Sequence, residues 1–440
     1  MLYKTLDAPL SCHIEIETSC NQSCFHCYNF WRKEDGFLMP KMSFEIAERI
    51  SEEMGKNQIF HGIINGGETL LNFEVLLFLI KNLKRKGMSF SLNSNLSLLD
   101  EEKAKLLRMA GLKTILTSLL SFDEKTHNFL ANSKDSFQKV ISGITLAKKF
   151  GFRVGINMVV SKFNVDHIRQ TGLLAKELGA SFFSATRVAL PQGSDCLAFF
   201  KEKLFLARED VKKISSELIF LKNENLEVDS LISFPLCFFE DFRTWEVLGK
   251  RSCSAGKTSM VISADGNVRA CPHDNKSYGS ILEEDLTSLW ARMEEWRDGS
   301  LLPKTCLSCD CFSKCGGGCR FFNENKKGED FIIKKENKEI IKPFLLNKGD
   351  KISVKDFTGM RIKPSCRFRK DREMGIINTE GTKNTFFSIR TFDVMKKVFD
   401  SSLVFTPVSL LETFPEIKMN KSRLSSFLSQ LLTKGVLEKC

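Results

Sequence analysis

The spacing of the cysteines constrains this chain more than any other feature of its 440 residues. Three of its fifteen cysteines, Cys20, Cys24 and Cys27, form a C-x3-C-x2-C run close to the N-terminus. Three thiolates on one short loop can ligate three irons of a 4Fe–4S cluster and leave the fourth iron open to a substrate or cofactor. A zinc loop is the competing interpretation, but zinc sites usually pair two C-x2-C halves. The run therefore favours an iron–sulfur site with one open iron.

The position of this run along the chain supports the same interpretation. Residues 13–17 alternate like a strand, so the cysteines follow a strand's carboxyl end, where barrel folds gather their chemistry. The run in this setting resembles the cysteine loop of the radical S-adenosylmethionine (AdoMet) family. The resemblance implies that Cys20, Cys24 and Cys27 hold a 4Fe–4S cluster that binds AdoMet and reductively cleaves it to a 5′-deoxyadenosyl radical. It also implies that Phe25 lies beside the adenine.

One structural unit repeats along residues 13–190: an apolar strand, a polar loop, an amphipathic helix and a glycine. Glycine is expected just past a helix end. This alternation predicts a parallel sheet with right-handed crossovers. We therefore predict an α/β fold, and its six units resemble the partial (β/α)6 TIM-like barrel of the radical AdoMet family. The predicted strands cover residues 13–17, 60–65, 88–93, 112–118, 152–160 and 181–188.

Motifs that resemble this family's AdoMet-binding segments follow the second and third strands. Gly66, Gly67 and Glu68 look like the GGE motif, in which glycines let the backbone approach the ligand and a carboxylate suits an ammonium group. Residues 94–100 resemble the family's T-N-G-T-L-L-D run, with Leu96 in place of the glycine. This second resemblance implies an AdoMet contact at Asn95.

The later strands carry three further candidates. Ser118 lies in the place of the family's I-S-L-D-G run and is a candidate ribose contact, although Leu120 replaces the acidic residue of that run. Asn157 and Arg187 follow the fifth and sixth strands and are candidate contacts to the AdoMet carboxylate or to the substrate. A purely structural role is an equally good interpretation for Asn157 and for Arg187.

A second cysteine array begins at Cys253. The pair Cys253 and Cys271 has the spacing C-x12-G-x4-C, and the later spacing C-x2-C-x5-C-x3-C covers residues 306–319. Together they resemble the SPASM extension, the auxiliary-cluster domain of peptide- and protein-modifying radical AdoMet enzymes. A zinc ribbon is the alternative for this array alone.

The SPASM resemblance implies two auxiliary 4Fe–4S clusters, and therefore three clusters in all. The first would be held by Cys253, Cys271 and Cys319, and we expect Cys237 to be its fourth ligand. The second would be held by Cys306, Cys309 and Cys315, and we expect Cys366 to complete it. Cys311 competes for either fourth position.

The chain after Cys366 reads as a separate small unit. A β-hairpin within residues 374–386 precedes helices near 391–400, 407–413 and 422–434. This order resembles the winged-helix elements that recognise the leaders of ribosomally made peptides, including the pyrroloquinoline quinone peptide chaperone. We expect a barrel over residues 1–235, a SPASM domain over 236–366 with a lysine-rich insertion at 323–363, and peptide recognition over 367–440.

Composition limits the other partners. No apolar run is long enough to span a membrane, so we expect a cytoplasmic protein. Cysteines at this number in a cytoplasmic chain indicate metal ligands rather than disulfides. The net charge of +11 is modest for the length, and residues 422–432 contain one arginine, so no nucleic-acid partner is expected.

The combined resemblance implies a maturase that abstracts a hydrogen atom from a precursor peptide and forms a carbon–carbon or thioether cross-link. AdoMet and an external electron donor such as flavodoxin or ferredoxin would be required. The enzyme alternatives are an anaerobic sulfatase-type maturase and a peptide epimerase. The non-enzymatic alternative is an iron–sulfur regulator that uses its winged helix on DNA. No residue stands out as the general base.

Overall fold

The computed structural model describes residues 5–29, 40–189, 200–249, 251–322, 359–417 and 419–440, together with Asp330, Ile332 and Glu339. Most of the predicted lysine-rich insertion lies outside these residues. Among them, no helix combines the length and apolar character that crossing a bilayer requires.

The first half of the chain alternates strands with helices. Its strands are β1 Ser11–Glu15, β2 His61–Asn65, β3 Ser89–Asn93, β4 Thr114–Ser118, β5 Arg153–Val160, β6 Phe182–Arg187 and β7 Val228–Asp229. Its longer helices are α1 Phe44–Lys56, α2 Phe73–Arg85, α3 Glu101–Ala110, α4 Glu124–Ala131, α5 Ser136–Lys149, α6 Ile168–Glu177, α7 Arg208–Asn223 and α8 Phe242–Leu248.

The α/β fold is confirmed: strands β1 to β7 are parallel and neighbour one another in chain order. All six predicted strands are present, and their ends differ from the predicted ones by at most two residues. Ile14, Ile64 and Ile156 are fully buried between the sheet and the helices. The short β7 was not predicted, because two residues carry no readable alternation.

The cysteine-rich region, residues 251–322, extends the same sheet. Strand β8, Ser259–Ile262, pairs parallel with β1, and β9, Val268–Arg269, pairs antiparallel with β8. The indole Nε1 of Trp290, in the helix Leu286–Ala291, donates to the Leu6 carbonyl at 2.8 Å. One continuous apolar core joins this region to the barrel, so the predicted boundary at residue 235 is not a break in packing.

The C-terminal region, residues 359–440, has its own core. Its strands are β10 Met360–Ile362, β11 Arg367–Lys370, β12 Gly375–Glu380, β13 Lys383–Phe387 and β14 Leu437–Lys439. Three helices, Ile389–Asp400, Pro407–Thr413 and Lys421–Thr433, lie within two residues of their predicted limits. Strands β11, β12 and β13 form an antiparallel sheet, and β10 pairs with β14.

This region docks against the amino ends of the barrel strands. Arg369 donates to the carbonyls of Ala8 and Pro9, both at 2.8 Å, just before β1. Arg367 donates to Ser89 Oγ at 3.2 Å, at the start of β3. The C-terminal region therefore lies at the end of the barrel opposite the cysteine loop, which follows the carboxyl end of β1.

Candidate active site

The three cysteines of the N-terminal run open onto one cavity at the carboxyl ends of the barrel strands. Its volume is about 290 Å³. Cys20, Cys24 and Cys27 all line it, and none of them is in a disulfide. The other predicted residues on its wall are Gly66, Gly67, Asn95, Ser118, Asn157 and Arg187.

The two glycines of the predicted GGE motif let the end of β2 touch the backbone that leads into Cys20. Gly67 N donates to Glu17 O at 2.5 Å, and Glu68 N donates to Ser19 O at 2.8 Å. A Cβ at Gly67 would lie 2.6 Å from the Ser19 carbonyl carbon, a distance at which the two segments could not pack. These glycines therefore position the cysteine loop as well as lining the cavity.

Glu68 has a different place from the one its motif implies. Its carboxylate is fully buried and accepts hydrogen bonds from Leu70 N, Ser94 Oγ and Asn95 N at 3.0, 2.7 and 2.8 Å. Burial raises the pKa of Glu68, and these hydrogen bonds oppose that shift. Glu68 therefore anchors the loop that carries Asn95. The Asn95 amide Nδ2 lies 3.9 Å from Cys20 Sγ.

The aromatic ring predicted to lie beside the adenine is not on the cavity wall. Phe25 packs against Phe129 with ring centroids 5.1 Å apart, and the neighbouring His26 lines the cavity instead. The reason is the loop's direction: Phe25 N donates to Leu130 O at 3.1 Å, which turns this residue toward α4.

Two amide oxygens on the cavity wall were missed by the sequence reasoning. Asn29 Oδ1 and Asn65 Oδ1 are buried, and neither has a hydrogen-bond partner among the described residues. Unpaired buried acceptors are costly, so they suit a ligand that supplies donors. The ammonium and ribose hydroxyl groups of AdoMet are such donors, and the cavity residues therefore fit this cofactor.

Arg187 lies at the end of β6 and is already engaged by the protein. Its guanidinium forms a buried ion pair with Asp330 and lies over the ring of Phe322, 3.4 Å from the centroid. Its Nε has no partner among the described residues. Asn157 is similarly held, because its Oδ1 accepts from Thr186 Oγ1 at 2.8 Å.

His273, from the cysteine-rich region, lines the same cavity. The rings of His273 and Tyr28 lie 4.7 Å apart, and both residues line the cavity. His273 Nδ1 is 3.7 Å from Cys271 Sγ. Burial lowers the pKa of His273 to about 4, which favours the neutral ring. His273 thus brings a neighbour of Cys271 into the cavity that the N-terminal cysteines line, and the only sequence signal for the pair of rings is adjacency to cysteines.

The second array folds around a run of three glycines. Gly316, Gly317 and Gly318 have φ values of 67°, 78° and 73°, a left-handed path that favours glycine at each step. This path reverses the chain between Cys315 and Cys319. Burial raises the pKa of the Cys271 thiol, and the nearby thiols of Cys253 and Cys319 add to the shift, so these three are neighbours. Burial also raises the pKa of Cys315, with Cys309 as a close thiol.

The two expected fourth ligands have different surroundings. Cys237 lies in the turn Leu236–Phe238, and Leu236 N donates to Cys315 Sγ at 3.3 Å. Cys366 belongs instead to the core of the C-terminal region, where its Sγ lies 3.7 Å from Val436 O. Pairing of β10 with β14 holds residues 359–366 in that region, so Cys366 is not brought to the second set. Cys311 is buried within the cysteine-rich region.

Within the described residues, no three His, Cys, Asp or Glu side chains are arranged around a point suitable for a single metal ion.

Comparison with known proteins agrees with this geometry. Residues 14–175 match the radical SAM superfamily, and residues 253–310 match the SPASM iron–sulfur cluster-binding domain. The chain is a radical SAM enzyme with a SPASM domain. It is 26% identical over 322 residues to the mycofactocin maturase MftC of Mycolicibacterium smegmatis, a match that covers 71% of this chain and 79% of the relative. It is 25% identical over 337 residues to the AdoMet-dependent heme synthase of Methanosarcina barkeri, covering 71% and 92%.

Solved structures share the fold. Streptococcus suis SuiB bound to S-adenosylmethionine superimposes with a TM-score of 0.59 at 20% identity, over 75% of this chain and 78% of that one. The protein anSMEcpe with bound AdoMet gives a TM-score of 0.59 at 22% identity, over 79% and 97%. The predicted radical AdoMet and SPASM architecture is thereby confirmed.

Proposed function

We propose that this enzyme modifies a ribosomally synthesised precursor peptide by hydrogen-atom abstraction. The observation that carries the proposal is the single cavity whose lining includes Cys20, Cys24 and Cys27 together with His273, which lies beside Cys271. A peptide side chain held there would contact both the site of radical formation and the first auxiliary site. Two similar proteins point the same way: a mycofactocin maturase, and SuiB, which was solved with the precursor peptide SuiA.

Cys20, Cys24 and Cys27 would hold a 4Fe–4S cluster, and AdoMet bound there would supply the 5′-deoxyadenosyl radical. Asn29 and Asn65 would accept hydrogen bonds from AdoMet, and Asn95 and Ser118 would complete its polar surroundings. Gly66 and Gly67 would keep the backbone close to it. Arg187 would donate a hydrogen bond to the ligand from Nε, because its other guanidinium nitrogens are paired with Asp330.

Loss of a second electron and a proton from the peptide radical would close a carbon–carbon or thioether cross-link. We propose that two auxiliary 4Fe–4S clusters serve this oxidation, for a total of three clusters. Cys253, Cys271 and Cys319 would hold one, and Cys306, Cys309 and Cys315 the other. Cys237 is the proposed fourth ligand of the first cluster. Cys311, which is buried within the cysteine-rich region, is the proposed fourth ligand of the second in place of Cys366, which lies in the C-terminal core.

The C-terminal region is the proposed leader-recognition element. Its strand β11 faces the barrel, whereas β13 has no partner strand on its outer edge among the described residues. An edge strand of this kind can add an extended peptide as another strand. Phe386, on β13, is 46% exposed and offers apolar contact there. A cytoplasmic setting with a flavodoxin- or ferredoxin-type donor would suit such chemistry.

The test is anaerobic reconstitution followed by two assays. With dithionite, the protein should form 5′-deoxyadenosine, and iron and sulfide analysis should approach twelve of each per chain, three clusters of four. Coexpression with a short precursor peptide encoded beside the gene should change that peptide's mass by the loss of two hydrogens. An unchanged peptide alongside active AdoMet cleavage would refute the peptide substrate.

A further inference from the structure

Two cations are buried where the two sets of auxiliary cysteines meet. Arg320, next to Cys319, is 2% exposed, and Lys257, four residues after Cys253, is 8% exposed. Desolvating an ion is expensive unless opposite charge or hydrogen bonds compensate. A cation kept at such a place therefore indicates hydrogen-bond acceptors or negative charge nearby.

The guanidinium of Arg320 lies inside the glycine loop. Its nitrogens donate to the carbonyls of Gly316, Gly317 and Gly318 at 3.0, 3.2 and 3.0 Å. These carbonyls hold the guanidinium of Arg320 in place but do not neutralise its positive charge. A Cβ at Gly317 would be 3.2 Å from Arg320 Nη1 and 3.7 Å from Cys306 Sγ, so that nitrogen and that thiol are at most 6.9 Å apart.

Lys257 lies in a segment that packs close to the glycine loop. It follows a turn in which its N–H donates to Ser254 O at 3.0 Å. The turn packs against the glycine loop, since a Cβ at Gly316 would lie 3.7 Å from Ser252 Cβ. Burial lowers the pKa of Lys257 and the charge of Arg320 adds to that shift, whereas the nearby thiols of Cys253, Cys315 and Cys319, which come from both predicted ligand sets, oppose it.

We propose that Lys257 and Arg320 raise the reduction potentials of the auxiliary clusters. The inference rests on the proposed function, because it requires thiolate-ligated clusters at these cysteines. Reduction adds one negative charge, and a fixed positive charge at short range favours that state. The two cations would thus let the auxiliary site take one electron from the peptide radical, with no proton moving at the site.

The test is a redox titration followed by electron paramagnetic resonance in a chain that also carries Cys20→Ala, Cys24→Ala and Cys27→Ala, so that only auxiliary signals remain. Lys257→Gln should shift a midpoint potential to a lower value, whereas Lys257→Arg, which keeps the charge, should not. The same comparison between Arg320→Gln and Arg320→Lys supplies a second pair of variants, with the same expected difference in midpoint potential.

Each outcome bears on the proposal. Loss of clusters in both Gln variants but in neither charge-preserving variant would also support the role of charge. Unchanged midpoint potentials in both Lys257→Gln and Arg320→Gln would overturn the proposal. Equal shifts of the midpoint potential in the Gln variants and in the charge-preserving variants would also overturn it. Formation of 5′-deoxyadenosine by the unsubstituted chain tests the proposed function separately.

Discussion

Substitution of Gly67 by alanine probes the contact that positions the cysteine loop. A Cβ at Gly67 would lie 2.6 Å from the Ser19 carbonyl carbon and 2.7 Å from the Thr18 carbonyl oxygen. Both are backbone atoms and cannot rotate away. The Ser19 carbonyl oxygen lies closer still, so restoring an ordinary separation of roughly 3.5 Å requires the segment before Cys20 to move by at least about 1 Å.

The magnitude follows from what this movement breaks. Overpacking of this kind costs about 1–3 kcal/mol. The hydrogen bonds Gly67 N to Glu17 O and Glu68 N to Ser19 O contribute about 1 kcal/mol each and would weaken. We therefore expect Gly67→Ala to lower the free energy of unfolding by about 2–4 kcal/mol. A displacement of about 1 Å at a reacting centre lowers a rate by roughly 100-fold, and we expect that loss in AdoMet cleavage.

The assay pairs 5′-deoxyadenosine formation with urea unfolding, using Gly87→Ala as the control. Gly87 has φ 73° and nothing within 4 Å of an added Cβ. Its alanine variant should lose about 1–2 kcal/mol through left-handed backbone strain and keep its cleavage rate. A Gly67→Ala protein with the cleavage rate and urea midpoint of the unsubstituted chain would refute the reasoning.

Other changes separate the roles of the loop, the core and the C-terminal region. Cys24→Ala should abolish 5′-deoxyadenosine formation while iron analysis still finds the auxiliary clusters; undiminished product would place the radical site elsewhere. Asp330→Asn should lower the free energy of unfolding in urea by about 3–5 kcal/mol, because Arg187 would keep a buried charge without its partner. A loss below about 1 kcal/mol would show that the ion pair is not buried in solution. Leu96 has φ 62° and is 1% exposed, so Leu96→Gly should relieve about 1–2 kcal/mol of strain yet lower stability overall through lost packing; a gain in the urea midpoint would contradict this. Ending the chain at residue 358 should preserve dithionite-driven AdoMet cleavage but abolish peptide modification at low peptide concentration, with iron content and far-UV spectra as controls; full modification would exclude leader recognition by residues 359–440.

Local patterns in the sequence were enough to predict the barrel strands and the presence of the radical AdoMet and SPASM regions. Strand alternation and glycines at helix ends are short-range signals, because each depends on residues within one turn or a few positions. The C-x3-C-x2-C run is equally local, since one loop supplies all its thiols. The three C-terminal helices were predicted for the same reason.

Tertiary structure decided how these parts meet. Glu68 and Phe25 lie in motifs that resemble those of the family. Packing nevertheless places the Glu68 carboxylate against the loop that carries Asn95, and the Phe25 ring against Phe129. The pairing of β10 with β14 joins residues 77 positions apart and takes Cys366 away from the cysteine-rich region. His273 faces Tyr28 only because β8 and β9 extend the barrel sheet. Spacing along a chain specifies which ligands one loop can supply, whereas contacts between distant segments depend on which surfaces pack together, and no local pattern contains that information.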